Sequence, residues 1–206
     1  FEMALVIEKK WRNGRTLRVR FLDGDPAVHE KVKSYANEWI RYANLKFAFG
    51  NDPDAEIRIS FRDPQGGFWS YLGTDCLTIP QDMPTMHLQG FNSNTSETFL
   101  SQVVLHQFGH ALGLGDEHHN PENTIPWDKE AVYRYYIEEL GWSKANVDSN
   151  VLAKLDPRGT AHTPHDPKSI MQFPVPNELT IGDYEIGFNT TLSEVDKRFI
   201  GQMYPF

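Results

Sequence analysis

Two histidines four residues apart, His106 and His110, sit in the run LSQVVLHQFGHALGLGDEHHN, with Gly113 three residues after the second and Asp116 three beyond that. On a helix, residues at this spacing project from one face, so both imidazoles can reach a single cation. Neutral imidazole suits zinc, and a catalytic zinc takes three protein ligands while keeping one position open. Gly113 lets the chain turn sharply at the helix end, because glycine adopts positive φ at little cost, and Asp116 then returns toward the metal. The resulting set is two nitrogens and one carboxylate oxygen. His118 and His119 are alternative third ligands that the spacing disfavours. A histidine pair alone is commonly accidental; a pair with a turn glycine and a third ligand, on an apolar helix, is not.

Such a set needs a rigid carrier. Phe99 to Leu112 reads as a strongly apolar helix, entered through N-cap candidates in NSNTSET and ended by Gly113 and Gly115. Upstream, RTLRVRFL (15–22) alternates charged and apolar residues and predicts a half-buried strand. Val28, Val32, Tyr35, Ala36, Trp39, Ile40 and Ala43 then recur at three and four, an amphipathic helix of about four turns. AEIRISF (55–61) and GFWSYL, after the turn DPQGG, predict further strands, and CLTIP and TMHLQGF shorter extended segments. Past the histidines, PWDKEAVYRYYIEELGW predicts a helix, 143–190 is loop-rich, and SEVDKRFIGQMYP predicts a closing helix with Ser193 and Asp196 spaced as a capping box. The pattern is a single domain, 1–206, with a strand-and-helix upper lobe (about 1–115) and an irregular lower lobe (about 116–206).

Composition narrows the function classes. With 20 basic against 28 acidic residues, a net charge of −8 and no dense Lys/Arg run, nucleic acid and anionic membrane surfaces are unsuitable partners. No apolar run approaches the roughly 18 residues of a membrane span. Cys76 is the only cysteine, so no internal disulfide can form, and it is expected to be a buried, inert thiol. The start, FEMALVIEKKW, lacks the order of a signal peptide and does not open on Met, which predicts a preceding signal or pro-segment.

HQFGHALGLGD resembles the signature of the metzincin zinc endopeptidases, HExxHxxGxx followed by His or, in some members, Asp. SIMQF (169–173) resembles the Met-turn of the same clan, and HDPKSIM and DEH resemble its astacin-like branch. The resemblance covers most of the chain. It implies an α/β (α+β) two-lobed catalytic domain with a twisted mixed sheet, active-site helix, Met-turn and C-terminal helix. It also implies one catalytic Zn2+, a protein or peptide substrate, secretion, and a removed pro-segment. Met171 is then a support beneath the metal, held by His106, His110 and Asp116 past the Gly113 turn. The substrate is expected to pair with an edge strand within 68–90. QFPVPNELT should shape an apolar pocket for the residue after the cut. Glu117 has two readings: partner of a mature N-terminus, as in astacins, or a solvated turn carboxylate.

Departures from the family pattern carry as much information. Phe173 stands where astacins have a tyrosine that ligates zinc and stabilises the oxyanion, and a single cysteine rules out their usual disulfides. Gln107 stands at the glutamate position, where the family's general base takes a proton from the metal-activated water. An amide keeps the shape and can hydrogen-bond, but takes up no proton near neutral pH. Metal binding should survive while turnover falls by roughly 10²–10⁴-fold. Two explanations stand: an engineered Glu-to-Gln change that silences a protease, favoured because the other machinery is intact, or a natural pseudoprotease that binds peptides uncut. Elsewhere, His87 is expected to be an exposed strand histidine, His162 and His165 ordinary loop residues, and Asp166 a tie for the loop before Met171. Trp127, Tyr133, Tyr135, Tyr136 and Trp142 are expected to pack the lower lobe.

Overall fold

A computed structural model describes residues 4–206. In chain order the elements are β1 (Ala4–Val6), β2 (Thr16–Phe21), α1 (Pro26–Ile40), β3 (Lys46–Phe49), β4 (Ile57–Ser60), β5 (Phe68–Ser70), β6 (Met86–Leu88) and α2 (Glu97–Ala111). After them come α3 (Lys129–Tyr133), α4 (Lys144–Val147), β7 (Thr160–His162) and α5 (Glu194–Met203), joined by 3₁₀ and π turns. Five strands form one mixed sheet in the order β3-β2-β4-β6-β5. All pairs are parallel except β5 on β6, so β5 is an antiparallel edge.

The apolar period of α1 buries Val28, Val32, Ala36 and Trp39 against α2 and the sheet. The Trp39 indole also donates to the Leu105 carbonyl at 2.9 Å, fixing α1 against α2. Ser96 caps α2 by accepting from Phe99 N, and Asp25 caps α1 by accepting from Ala27 N. The capping box predicted for α5 is present, with Ser193 and Asp196 bonded reciprocally.

Several local expectations needed correction. Alternation in 55–61 predicts a half-buried strand, yet all four residues of β4 are buried. Arg58 explains the difference: its guanidinium donates to the carbonyls of Ala55, Ile79 and Pro80, and so carries its charge into a buried place. CLTIP is not extended; most of it winds into the 3₁₀ segment Gly73–Thr78. Gly73 allows this at φ +45, where a Cβ would meet the Lys9 carbonyl oxygen at 1.9 Å. β3 gave no recognised signal, since KFAF is short and half-exposed. The predicted helix after Trp127 is α-helical only in α3, then widens into the π segment Arg134–Glu139. Its aromatics pack as expected, with Trp127, Tyr133, Tyr135 and Tyr136 around Val132, Val147 and Val151, and Trp142 on Tyr136.

β1 has a positional role. It pairs antiparallel with β7, and Val6 N and Ala4 O bond Gly113 O and Gly115 N, at 3.1 and 2.9 Å. The N-terminal strand thereby pins the chain as it leaves α2. Cys76 is buried and its thiol is pushed up to about 12 by burial, which keeps it inert. Among the described residues, no helix is long and apolar enough to cross a membrane.

Candidate metal centre and active site

α2 presents His106 and His110 on one face, their rings 4.7 Å apart and nearly perpendicular. Gly113, at φ +103, ends the helix, and its N–H and that of Leu114 return to the carbonyls of His110 and Gly109. The chain then brings Asp116 back: its Oδ1 lies 3.0 Å from His106 Nε2 and 3.3 Å from His110 Nε2. Ligands about 2.0–2.1 Å from a tetrahedral zinc lie roughly 3.3 Å from one another, so this spacing suits one ion.

Hydrogen bonding makes the same point. Nδ1 of His106 lies 2.8 Å from the Ile170 carbonyl, and Nδ1 of His110 lies 2.7 Å from the Leu114 carbonyl. A carbonyl only accepts, so both Nδ1 atoms carry a proton, and each Nε2, a lone pair whenever its ring is neutral, faces a carboxylate oxygen. Three acceptors facing one another require a cation between them, or protonation. Burial opposes the charge on Asp116, but His110 and His106 hold its pKa well below the usual carboxylate range.

Outer partners orient this set. The turn at 169–172 is held by buried Asp196, which accepts from Ser169 Oγ at 2.6 Å and from Ile170 N at 2.8 Å. Ile170 in turn holds His106, while Met171 O accepts from Glu117 N at 2.9 Å, next to Asp116. Met171 is fully buried beneath α2, and a Cβ on Gly109 would meet its sulfur at 2.3 Å. Only glycine fits there. Asp166 ties the loop as expected, accepting from Ser193 Oγ at 2.9 Å. The Leu114 and Ile170 carbonyls and the second role of Asp196 were missed in the sequence; the capping box was the one visible signal.

Gln107 is buried beside His106, and its Oε1 has no hydrogen-bond partner among the described residues. It lines a pocket of about 240 Å³ with Phe68, Phe99, Val103, Phe173 and Phe188, so the pocket reaches from edge strand β5 to the histidines. Glu117 is not a solvated carboxylate: it is fully buried, accepts from Asn120 Nδ2 at 2.7 Å and Asp166 N at 3.2 Å, and burial pushes its pKa up to about 9. Its association with Phe1 lies outside the described residues. His118 and His119 form a separate group with Asp116. His118 is buried edge-on to Phe173, and burial lowers its pKa to about 4, so its ring is neutral.

His87 also differs from expectation, being fully buried. Its Nδ1 donates to Gly67 O and its Nε2 accepts from Asp63 N at 3.1 Å, which fixes the loop entering β5. His162 sits 3.4 Å from Glu122 and His165 donates to Gln172 Oε1; neither joins a metal-binding group among the described residues.

This mixed sheet, this helix and this cluster define a metzincin metalloendopeptidase of the astacin-like branch, with a site for one catalytic zinc; the chain belongs to that family. The chain is similar to myroilysin in two solved structures. One is 42% identical with a TM-score of 0.94, covering 98% of each chain. The other is 40% identical with a TM-score of 0.73, covering 96% of this chain and 86% of that one. High choriolytic enzyme 1, a hatching enzyme zinc-protease from Oryzias latipes, shares the fold at 16% identity and a TM-score of 0.64, covering 96% of this chain and 94% of its own. No protein-family model matches the chain, and no curated protein matches it.

Proposed function

We propose that His106, His110 and Asp116 hold the zinc of a secreted endopeptidase, made after removal of a pro-segment, whose turnover is suppressed at Gln107. The observation that carries this is the convergence of two Nε2 lone pairs on one carboxylate oxygen. A zinc bound there polarises a peptide carbonyl and acidifies a water. The residues of this chain do the rest. β5 offers its free edge to an extended peptide by main-chain hydrogen bonds, and the Phe-lined pocket takes an apolar side chain next to the cut. The turn at 169–172 acts as the Met-turn, with Met171 beneath the site. Gln107 reaches the place of the general base and can accept or donate a hydrogen bond there, but cannot carry the proton to the leaving amine.

The favoured origin of Gln107 is a Glu-to-Gln change that silences the enzyme. A second reading, a natural domain that captures peptides without cutting them, draws on Phe173: its ring packs on His118 and brings no hydroxyl to an oxyanion. Metal content and peptidase activity of this chain and of Gln107→Glu separate the two. Equal zinc in both, with cleavage rising roughly 10²–10⁴-fold in the Glu form, supports the silenced enzyme. Equal zinc with no cleavage in either supports the capture domain. Loss of zinc from both overturns the ligand assignment.

A further inference from the structure

Asp116 belongs to two groups of donors, and the second has no part in the proposed reaction. His118 and His119 lie on the short turn Glu117–His119, their ring centres 3.8 Å apart. Nε2 of His118 lies 2.7 Å from the Asn150 carbonyl, and Nδ1 of His119 lies 2.6 Å from the Ala153 carbonyl. Both of those nitrogens therefore carry hydrogen, which leaves Nδ1 of His118 and Nε2 of His119 as lone pairs. Nδ1 of His118 is buried and has no hydrogen-bond partner among the described residues. A carboxylate oxygen of Asp116 and one ring nitrogen from each histidine come within 4.8 Å of one another. The group offers the same donor types as the first site: two imidazoles and one carboxylate.

We propose that Asp116 bridges two metal ions, the zinc held with His106 and His110 and a second divalent transition-metal ion held with His118 and His119. This rests on the zinc reading of the first site. Residue type decides whether a bridge can exist. A histidine at 116 would spend one nitrogen on its N–H and keep a single lone pair, whereas a carboxylate has two oxygens and can serve two ions about 3.5–4 Å apart. The exchange of histidine for aspartate at the third ligand therefore changes how many ions the site can hold. Two imidazoles and a carboxylate suit zinc or a neighbouring ion such as cobalt. Because the two ions share one negative charge, the second binds more weakly than the first. His118 is held by the Asn150 carbonyl and the part-exposed His119 by the Ala153 carbonyl.

The test is metal stoichiometry and not activity. The chain is stripped with a chelator, dialysed against zinc chloride or cobalt chloride, and its metal counted by mass spectrometry. About two ions per chain are expected at saturation, with two successive phases in the cobalt absorption spectrum. His119→Ala, at a part-exposed position, should lose the second phase and keep the first. Asp116→His should also stop at one ion. One ion in the unaltered chain, lost in His106→Ala and kept in His119→Ala, overturns the bridge while leaving the zinc site standing. One ion lost in His119→Ala and kept in His106→Ala overturns the zinc assignment itself, and two ions retained in both His119→Ala and Asp116→His overturn the bridge.

Discussion

One large apolar cluster runs through α1, α2 and the five-stranded sheet and reaches Ile170, Met171 and α5; the region beyond Asp116 adds only two small clusters of its own among the described residues. In the later region buried polar side chains carry much of the shape. Asn123 donates to His118 O and accepts from Ile125 N, both at 2.6 Å, Asn120 binds Glu117 and the Thr163 carbonyl, and Asp196 gathers Ser169, Ile170 and Ser193. Apolar burial is non-directional and tolerates small shifts, whereas a buried polar group must meet its partner or lose much of what it cost to desolvate. The first region supplies a stiff platform. The second places individual atoms, including the Ile170 carbonyl that aims His106.

Substitutions can break this contrast. Trp39→Ala empties the space between α1 and α2 and loses a buried hydrogen bond; unfolding in urea should show a loss of about 3–5 kcal/mol, with zinc affinity little changed in the folded protein. Asp196→Ala should cost less stability, about 2–4 kcal/mol, but should also weaken zinc about 10–100-fold in a chelator competition, because Ile170 no longer holds His106. Equal effects of the two substitutions on zinc would erase the distinction.

A pH series sharpens it. Burial, reinforced by Asp166, raises Asp196 to about 6 in the folded protein, against hydrogen bonds from Ile170, Ser169 and Ser193. In the unfolded chain the carboxyl titrates near 3.9. Between these values the folded state holds the proton more tightly, so this contribution to stability is fully present below about 4 and is lost as pH rises through about 6, on the order of 2–3 kcal/mol. Asp196→Asn keeps a neutral acceptor in place and should remove that slope from a plot of stability against pH. The smallest effect is expected at the exposed pair of Lys33 and Glu30 on α1, where Lys33→Ala should change stability by under about 0.5 kcal/mol.

The same division explains what could be read in advance. α1, α2, β2 and α5 announced themselves through period and capping, and HQFGHALGLGD displayed His106, His110 and Asp116 together, because they are local to one helix and its turn. Arg58 defeated the alternation of β4 by finding the carbonyls of Ile79, Pro80 and Met83 more than twenty residues away, and His87 was misjudged because both its partners lie about twenty residues away. Glu117 was ambiguous for the same reason: its burial depends on Asn120 and on Asp166, far along the chain.

The order of side chains by itself determined the helix that bears the histidines, the glycine that ends it, and the residue types at 106, 107, 110 and 116 on which the proposed site rests. Each follows from spacing within a few residues. Tertiary structure alone decided that Ile170 orients His106, that Met171 fills the gap under Gly109, and that Asn150 and Ala153 orient His118 and His119. Those facts depend on atoms brought together from distant parts of the chain, which no local period encodes.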